Sequence, residues 1–517
     1  MEKILNKLYD YQIEILNITD KEDKGIVCLP TGSGKTYTQA AIIAKDIILN
    51  KNKFGVYVIN APRILLSYQL LKEVYTFLVY VGLESRYMSV HSGGIVDLDD
   101  LEQIRIDANF NEGTNIKFSE IQNGTSPKLI KEFSEVSKSQ NIPLIIFSTY
   151  NSAVRINDAI PETKLRIVVN DEAQYLVQEQ FYDIIRILKS RRQYFFTATI
   201  INTPSNSGRG MNNVQSYGEV IYKMLPREAI DRGKMIRPRL HFVIPPVGST
   251  YTRSDFENSL GKIISESLAQ HQYAIGQFSS PKLLVSVKGV GDIKKFFSSK
   301  EYSGLIRGGY KIYAVASDES IGNNINGKKV SRREFLNMLK EDGKNLGQKL
   351  LILHYDILAE GLDISGITGI MPLRILGKSK FLQTYGRAAR PDLDDRKRMV
   401  DGEIKPNDLS EFNKPYAWVI VPTIVHEDSD AQEHIKELIS ELRDYGFDPS
   451  EDIISTNSKN GLPTIEGVEA LNEIKRRCSN IGKTIEYVEA EYEDERIAKL
   501  TEEEWLLYNF PDLLDNI

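Results

Sequence analysis

Two cysteines, Cys28 and Cys478, in 517 residues exclude a disulfide framework, and neither stands in a pair with metal-ligand spacing. The six histidines are scattered, so no His/Cys/Asp grouping resembles a zinc site. No apolar run approaches the roughly 18 residues that would span a bilayer, which argues against a membrane partner. The opening MEKILNKLYDYQ lacks the basic region and apolar stretch of a signal peptide, so a cytoplasmic protein is expected. Excess positive charge is missing as well. With a formal net charge of −6 and a pI of about 5.8, the chain has no global basic field, and any nucleic-acid contact has to be local.

The rest of the composition, 41% hydrophobic and 26% charged, is that of an ordinary globular protein, and the length suggests about three domains. Short runs rich in β-branched residues alternate with amphipathic stretches: GIVCLP (25–30), FGVYVINAP (54–62), LIIFSTY (144–150), IVVNDEA (167–173) and QYFFTAT (193–199). KLLVSV (282–287), KIYAVAS (311–317), KLLILHY (349–355), GITGIMPLR (366–374) and YAWVIVP (416–422) repeat the theme. Such alternation predicts α/β domains on buried, mostly parallel sheets. The expected division is 1–235, 236–425 and a mainly helical region 426–517, with IRPRLHFVIPPVGST as a linker and 97–140 as an insertion or long loop. No repeat of 20–50 residues is found.

Three patterns carry chemistry. LPTGSGKT, Leu29 to Thr36, follows a predicted strand and opens a helical pattern. Small residues there let backbone N–H groups point at phosphate oxygens, Lys35 reaches the β- and γ-phosphates, and the Thr36 hydroxyl ligates magnesium. Pro30, Thr31, Gly32, Ser33 and Gly34 complete the cradle; the pattern departs from its full form at Leu29, where glycine is usual. IVVNDEAQ ends a strand in two carboxylates, Asp171 for the metal and Glu172 for the attacking water. Taken alone, the pair also suits a charged helix N-terminus. In QTYGRAARP, Gln383, Arg387 and Arg390 fall on one helical face at i, i+4 and i+7, and Pro391 disfavours further helix. An arginine from a second domain that meets the γ-phosphate stabilises the charge built during phosphoryl transfer by about 10³–10⁵ in rate.

Together these motifs resemble those of superfamily 2 helicases of the DEAD/DEAH type, over roughly residues 5–425. The resemblance implies two tandem RecA-like P-loop domains that hydrolyse ATP with Mg²⁺ in the cleft between them. LYDYQ resembles the adenine-reading motif, with Gln12 at the base and Tyr9 or Tyr11 nearby. INAPRILLSYQ is similar to motif Ia, with Pro62, Arg63 and Gln69; FSTYNS supplies Thr149 and Tyr150; TAT, with Thr197 and Thr199, is motif III. AEGLDI is similar to motif V, with Gly361 and Asp363 at the nucleotide and Thr368 after it. Motif II ends in Gln174 where relatives often have His or Asp, and the resemblance implies that Gln174 couples hydrolysis to the motif III threonines. Pro62, Arg63, Thr149, Tyr150 and Thr368 are the expected nucleic-acid contacts.

The nearest branches by resemblance are phage and bacterial recombination helicases of the UvsW and RecG kind and the motor subunits of restriction systems. They imply a bacterial or phage-infected host cell. DNA is the expected substrate, with an RNA helicase, a restriction motor and a non-translocating ATP-binding switch as alternatives. The basic runs KKVSRREF, DRKR and IKRRCSNIGK read as solvated faces, and the C-terminal region suits a protein partner or a DNA-gripping module equally.

Overall fold

The computed structural model describes residues 1–92, 121–160, 165–188, 190–204, 208–244, 259–275, 280–316, 318–355, 366–374, 378–406, 408–422 and 453–457, with a few single positions besides. The chain divides into two compact units, the first Met1–Met224 and the second beginning at Leu225. That division falls ahead of the boundary expected at 235, because the segment around Gly233 packs with the second unit. A Cβ on Gly233 would come 2.7 Å from the Met399 sulfur.

The first unit holds strands β1 (Lys24–Cys28), β2 (Val56–Ala61), β3 (Arg86–Val90), β4 (Ile121–Asn123), β5 (Leu144–Thr149), β6 (Leu165–Asn170), β7 (Ser190–Thr197) and β8 (Glu219–Lys223). Their order is β4-β3-β5-β2-β6-β7-β1-β8, and neighbours pair in parallel throughout. Helices cover such a sheet on both faces, which is why β2 and β5 are buried at every position rather than alternating. The register sets Cys28 opposite Thr197 and Asn170 opposite Phe195, so β1, β7 and β6 end side by side.

The second unit has β9 (Arg237–Ile244), β10 (Lys282–Ser286), β11 (Tyr310–Val315), β12 (Asn323–Ile325), β13 (Lys328–Lys329), β14 (Lys349–His354), β15 (Gly369–Pro372), β16 (Tyr416–Pro422) and β17 (Ile453–Asn457). The order is β13-β12-β11-β14-β10-β15-β16-β9-β17, parallel except for the β11-β12-β13 hairpins. The α/β class is as expected, with one correction and two additions. The supposed linker contains β9, whose Leu240 and His241 are fully buried. Among the described residues β17 pairs with β9 from Leu240 onward, and Pro238 lies in register with Ala417 of β16. Part of the expected 97–140 insertion is regular structure, β4 and the helix Pro127–Ser139. In the C-terminal region read as helical, the described stretch 453–457 is a strand. Among the described residues no helix is long and apolar enough to cross a membrane.

A polar network ties the first sheet together near the starts of β2 and β6. The Arg166 guanidinium grips the Asp46 carboxylate with both Nε (2.5 Å) and Nη2 (2.9 Å), and the Tyr57 hydroxyl donates to it at 2.8 Å. Burial alone would raise the Asp46 carboxyl, but the hydrogen bonds from Arg166 and Tyr57 outweigh it and hold the group below the usual range. A depressed carboxylate stabilises the fold above its unfolded value and loses that contribution as pH falls through the folded value. Asp46→Asn should therefore cost about 1–3 kcal/mol at pH 7 by urea unfolding, with the difference shrinking in acid as the wild-type carboxylate protonates.

Candidate nucleotide-binding site

The phosphate loop leaves β1 with the Leu29 N–H donating to the Thr197 carbonyl at 2.9 Å. Gly32 and Gly34 adopt φ of +86° and +75°, in the left-handed region that glycine allows at no steric cost. At Gly34 an added methyl group would also lie 2.8 Å from Gln12 Nε2 and push that amide aside. The Tyr11 hydroxyl donates to the Ser33 carbonyl and Gln12 Nε2 to the Gly34 carbonyl at 3.0 Å. Drawing these carbonyls back onto the helix Asp10–Ile18 gives the loop the polarity a phosphate cradle needs. Lys35 then begins the helix Lys35–Leu49, with Thr36 beside it.

Gln12, expected at the base, is committed to the protein at both ends: its Oε1 also accepts the Tyr9 N–H at 2.9 Å. Of the two tyrosines, Tyr11 is buried, while Tyr9 is 46% exposed and stacks on it at 5.8 Å.

Across β7, the end of β6 carries the carboxylates. The Asp171 N–H donates to Asn60 O at 2.8 Å, the Tyr150 hydroxyl donates to the Asp171 carbonyl at 2.6 Å, and Gln39 Nε2 donates to Asp171 Oδ1 at 2.7 Å. Asp171 is 4% exposed; burial, then the Glu172 charge, pushes its carboxyl up to about 7, against the opposing pull of Lys35 and Gln39. Glu172 sits at φ +50°, a backbone conformation rare outside glycine that marks a conformation imposed by its surroundings.

The Glu172 carboxylate meets two partners. Lys35 Nζ lies 3.6 Å from Oε1, and Gln174 Nε2 donates to Oε2 at 2.8 Å. The Gln174 carbonyl oxygen stands 2.7 Å from the Thr197 hydroxyl, which accepts the Thr199 N–H at 3.0 Å. The same hydroxyl lies 2.6 Å from the Thr199 carbonyl, so its one proton serves either Gln174 or Thr199. Lys35, Glu172, Gln174, Thr197 and Thr199 thus form one continuous polar chain.

These residues fit a magnesium ion that arrives with a nucleotide. Lys35 Nζ is a buried cation without a hydrogen-bond acceptor, and a second buried charge, Asp171, has a single side-chain donor. Among the described residues no group of three or more His, Cys, Asp or Glu could hold a metal by itself. Magnesium needs only one or two protein ligands when phosphates supply the rest, and Thr36 and Asp171 are the residues that would hold it.

In the second unit, the helix Lys378–Ala388 carries Gln383 and Arg387, both buried, and Arg390 follows half-buried. Ala389 O accepts the Ile236 N–H at 2.8 Å, which fixes the helix end at the edge where β9 begins. Gly361 and Asp363 lie outside the described residues.

The expected strand contacts separate into two groups. Arg63 is exposed and Pro62 half-buried where β2 gives way to the helix Ile64–Val81, and Gln69 is half-buried on that helix. Thr149 ends β5 with its hydroxyl donating to Ser152 Oγ at 3.0 Å. Tyr150, in contrast, is fully buried and braces Asp171 from beneath. Thr368 is also misplaced for a strand: it is 2% exposed, its oxygen accepts the Lys282 N–H at 2.9 Å and lies 2.8 Å from His271 Nε2. It stands where β10 and β15 begin, at the opposite edge from the carboxyl ends that open onto ligands.

Sequence reasoning missed Gln39 and the bracing roles of Tyr11, Asn60 and Tyr150. Gln39 had a faint signal, standing one helical turn after Lys35.

Residues 5–202 match the family model of the type III restriction enzyme res subunit. Among solved structures, the ATP-dependent Type ISP restriction-modification enzyme LlaBIII bound to DNA superposes with a TM-score of 0.62 at 16% identity, covering 93% of this chain and 33% of that one. A nuclease-deletion mutant of the Type ISP enzyme LlaGI with a DNA substrate mimic gives 0.55 at 16% identity, over 94% and 32%. The DUF1998 helicase MrfA bound to DNA gives 0.50 at 12% identity, over 94% and 57%. The chain spans about a third of the length of the two Type ISP enzymes. No curated protein sequence matches it. The α/β fold is shared with these enzymes, and over residues 5–202 the expected resemblance to restriction-system subunits is borne out.

The raised Asp171 carboxyl has a measurable signature. A carboxyl whose folded value lies above its unfolded one favours the fold in acid and loses that contribution as pH rises through the folded value. Asp171→Asn keeps an acceptor for Gln39 and removes the repulsion with Glu172. In chelator-treated protein it should raise the unfolding free energy at pH 8, by an amount on the order of 1–4 kcal/mol, and give no gain near pH 4.

Proposed function

We propose that the chain is an ATP-hydrolysing motor that moves along nucleic acid, DNA rather than RNA. The observation that carries this reading is the chain from Lys35 through Glu172 and Gln174 to Thr197, with Asp171 buried beside it. Lys35 and the loop N–H groups hold the triphosphate, displacing the Lys35–Glu172 pair. Bound magnesium, held by Thr36 and Asp171, would neutralise charge on the phosphate oxygens. Freed from Lys35, Glu172 orients the attacking water and takes its proton. Gln174 reports the state of Glu172 to the threonines of β7, and Tyr9 offers its face to the base.

Arg387 and Arg390 supply charge to the phosphoryl group in flight. Their position supports this: the helix end lies where β9 begins, away from the carboxyl edge at which a nucleotide of the same unit would sit. Pro62, Arg63 and Thr149 contact the strand backbone, a mode that needs no large basic surface and gives no sequence specificity.

The family match and the restriction-enzyme folds support a second, narrower version, in which the chain is the motor of a restriction complex and cleavage belongs to a partner. Co-purification with a methyltransferase or nuclease distinguishes the two. A bacterial or phage-infected cytoplasm is the setting either version expects.

Turnover should be stimulated by DNA, measured with single-stranded, duplex and branched DNA against RNA. Lys35→Ala, Glu172→Gln and Arg390→Ala should each lower stimulated kcat by about 10²-fold or more while leaving the unfolding midpoint near wild type. Wild-type turnover in any of them contradicts the assignment, and stimulation by RNA alone contradicts DNA. Gln174→Ala should reduce nucleic-acid stimulation by a larger factor than unstimulated turnover, measured in the same assay.

A further inference from the structure

The turn that carries Arg390 is fastened by a residue outside every motif. A helix leaves its last carbonyls without intrahelical partners. Here Ala389 O takes the Ile236 N–H, and Arg390 O takes Lys414 Nζ at 2.7 Å from 24 residues along the chain. Lys414 is 4% exposed and stands just ahead of β16. Its backbone is itself held: Asp395, fully buried on the helix Leu393–Val400, accepts the N–H groups of Asn413 (2.9 Å) and Lys414 (3.1 Å). Asp395 thus anchors the lysine, and the lysine anchors the arginine turn.

Stability alone does not call for a lysine at this place. Burial draws the Lys414 ammonium down to about 7, with Asp392 and Asp395 favouring its charge and Arg396 and Arg390 opposing it. An unbranched apolar side chain would fill the same space without that desolvation. What it would lack is a donor for the Arg390 carbonyl.

We propose that Lys414 is a positioning residue for Arg390: by donating from Nζ to the Arg390 carbonyl it fixes the backbone from which the guanidinium projects. The proposal rests on the role given to Arg390 above. Lys414 meets no substrate, so it acts on the rate of the chemical step and not on nucleotide affinity.

The test uses the full chain with Lys414→Met, Lys414→Arg, Arg390→Ala, the Lys414→Met/Arg390→Ala double variant and Lys35→Ala. Hydrolysis of labelled ATP is followed in single turnovers so that slow variants stay measurable, beside affinity for a non-hydrolysable ATP analogue and thermal unfolding. Lys414→Met should slow hydrolysis about 10–100-fold, the scale of a misplaced catalytic group, with analogue affinity unchanged and the midpoint within about 4 °C of wild type. Lys414→Arg should recover part of the rate. In the Arg390→Ala background the Lys414 substitution should add no further loss, because the group it positions is gone.

Wild-type hydrolysis by Lys414→Met overturns the proposal, as does a loss that multiplies with that of Arg390→Ala. Should Lys414→Met not fold, Lys414→Gln takes its place in the same cycle, and the same outcomes decide. Slow hydrolysis by Arg390→Ala and Lys35→Ala beside a normal Lys414→Met sinks only the Lys414 proposal. A normal Arg390→Ala removes the arginine assignment and the Lys414 proposal with it.

Discussion

Two neighbouring carboxylates answered by one lysine govern the first unit. Asp171 and Glu172 end β6 together, and Lys35 is the cation that faces them, 3.6 Å from Glu172. Charge repulsion within the pair, desolvation of Asp171 and the left-handed backbone of Glu172 all cost stability. The cost is offset by bracing: Tyr150 and Asn60 hold the Asp171 backbone, Gln39 its side chain, and Gln174 holds Glu172. A phosphate that takes Lys35, and a cation that takes Asp171, would relieve the arrangement.

The sheet order makes this arrangement available. Because β7 lies between β1 and β6, its terminal Thr197 stands between the phosphate loop and the carboxylates. It bonds to both sides, through its carbonyl to Leu29 and through its hydroxyl to Gln174. One residue at a strand end therefore connects the glycine-rich loop to the Glu172–Gln174 pair. With two acceptors and one proton at its hydroxyl, it has two arrangements within reach, which is the raw material of a coupling step.

The strands legible in the sequence were those with near-continuous apolar runs, such as VYVINA in β2 and LLILH in β14. Burial on both faces of a parallel sheet demands such runs. β9 was missed because Pro238 and the glycine-proline stretch beyond it imitate a linker. That this proline-bearing stretch is a strand follows from its pairing with β16, a long-range fact that no local window contains. Thr368 and Tyr150 were misjudged for the reverse reason. A hydroxyl near a strand end looks ready for a phosphate, but which end of the strand it occupies, and what lies over it, are long-range facts.

Identity and spacing alone determined the chemistry available to this protein. A lysine and threonine after a glycine-rich turn, two adjacent carboxylates at a strand end and two arginines about a helix end, Arg387 on its last turn and Arg390 just past it, are set by the order of residues, because strand, turn and helix impose their geometry locally. Tertiary structure decided which side chains support them. Gln39 reaches Asp171, Tyr11 turns the phosphate loop and Lys414 holds the arginine turn across separations of 132, 22 and 24 residues. Contacts of that kind depend on strand order and register, which emerge only when the whole sheet is assembled.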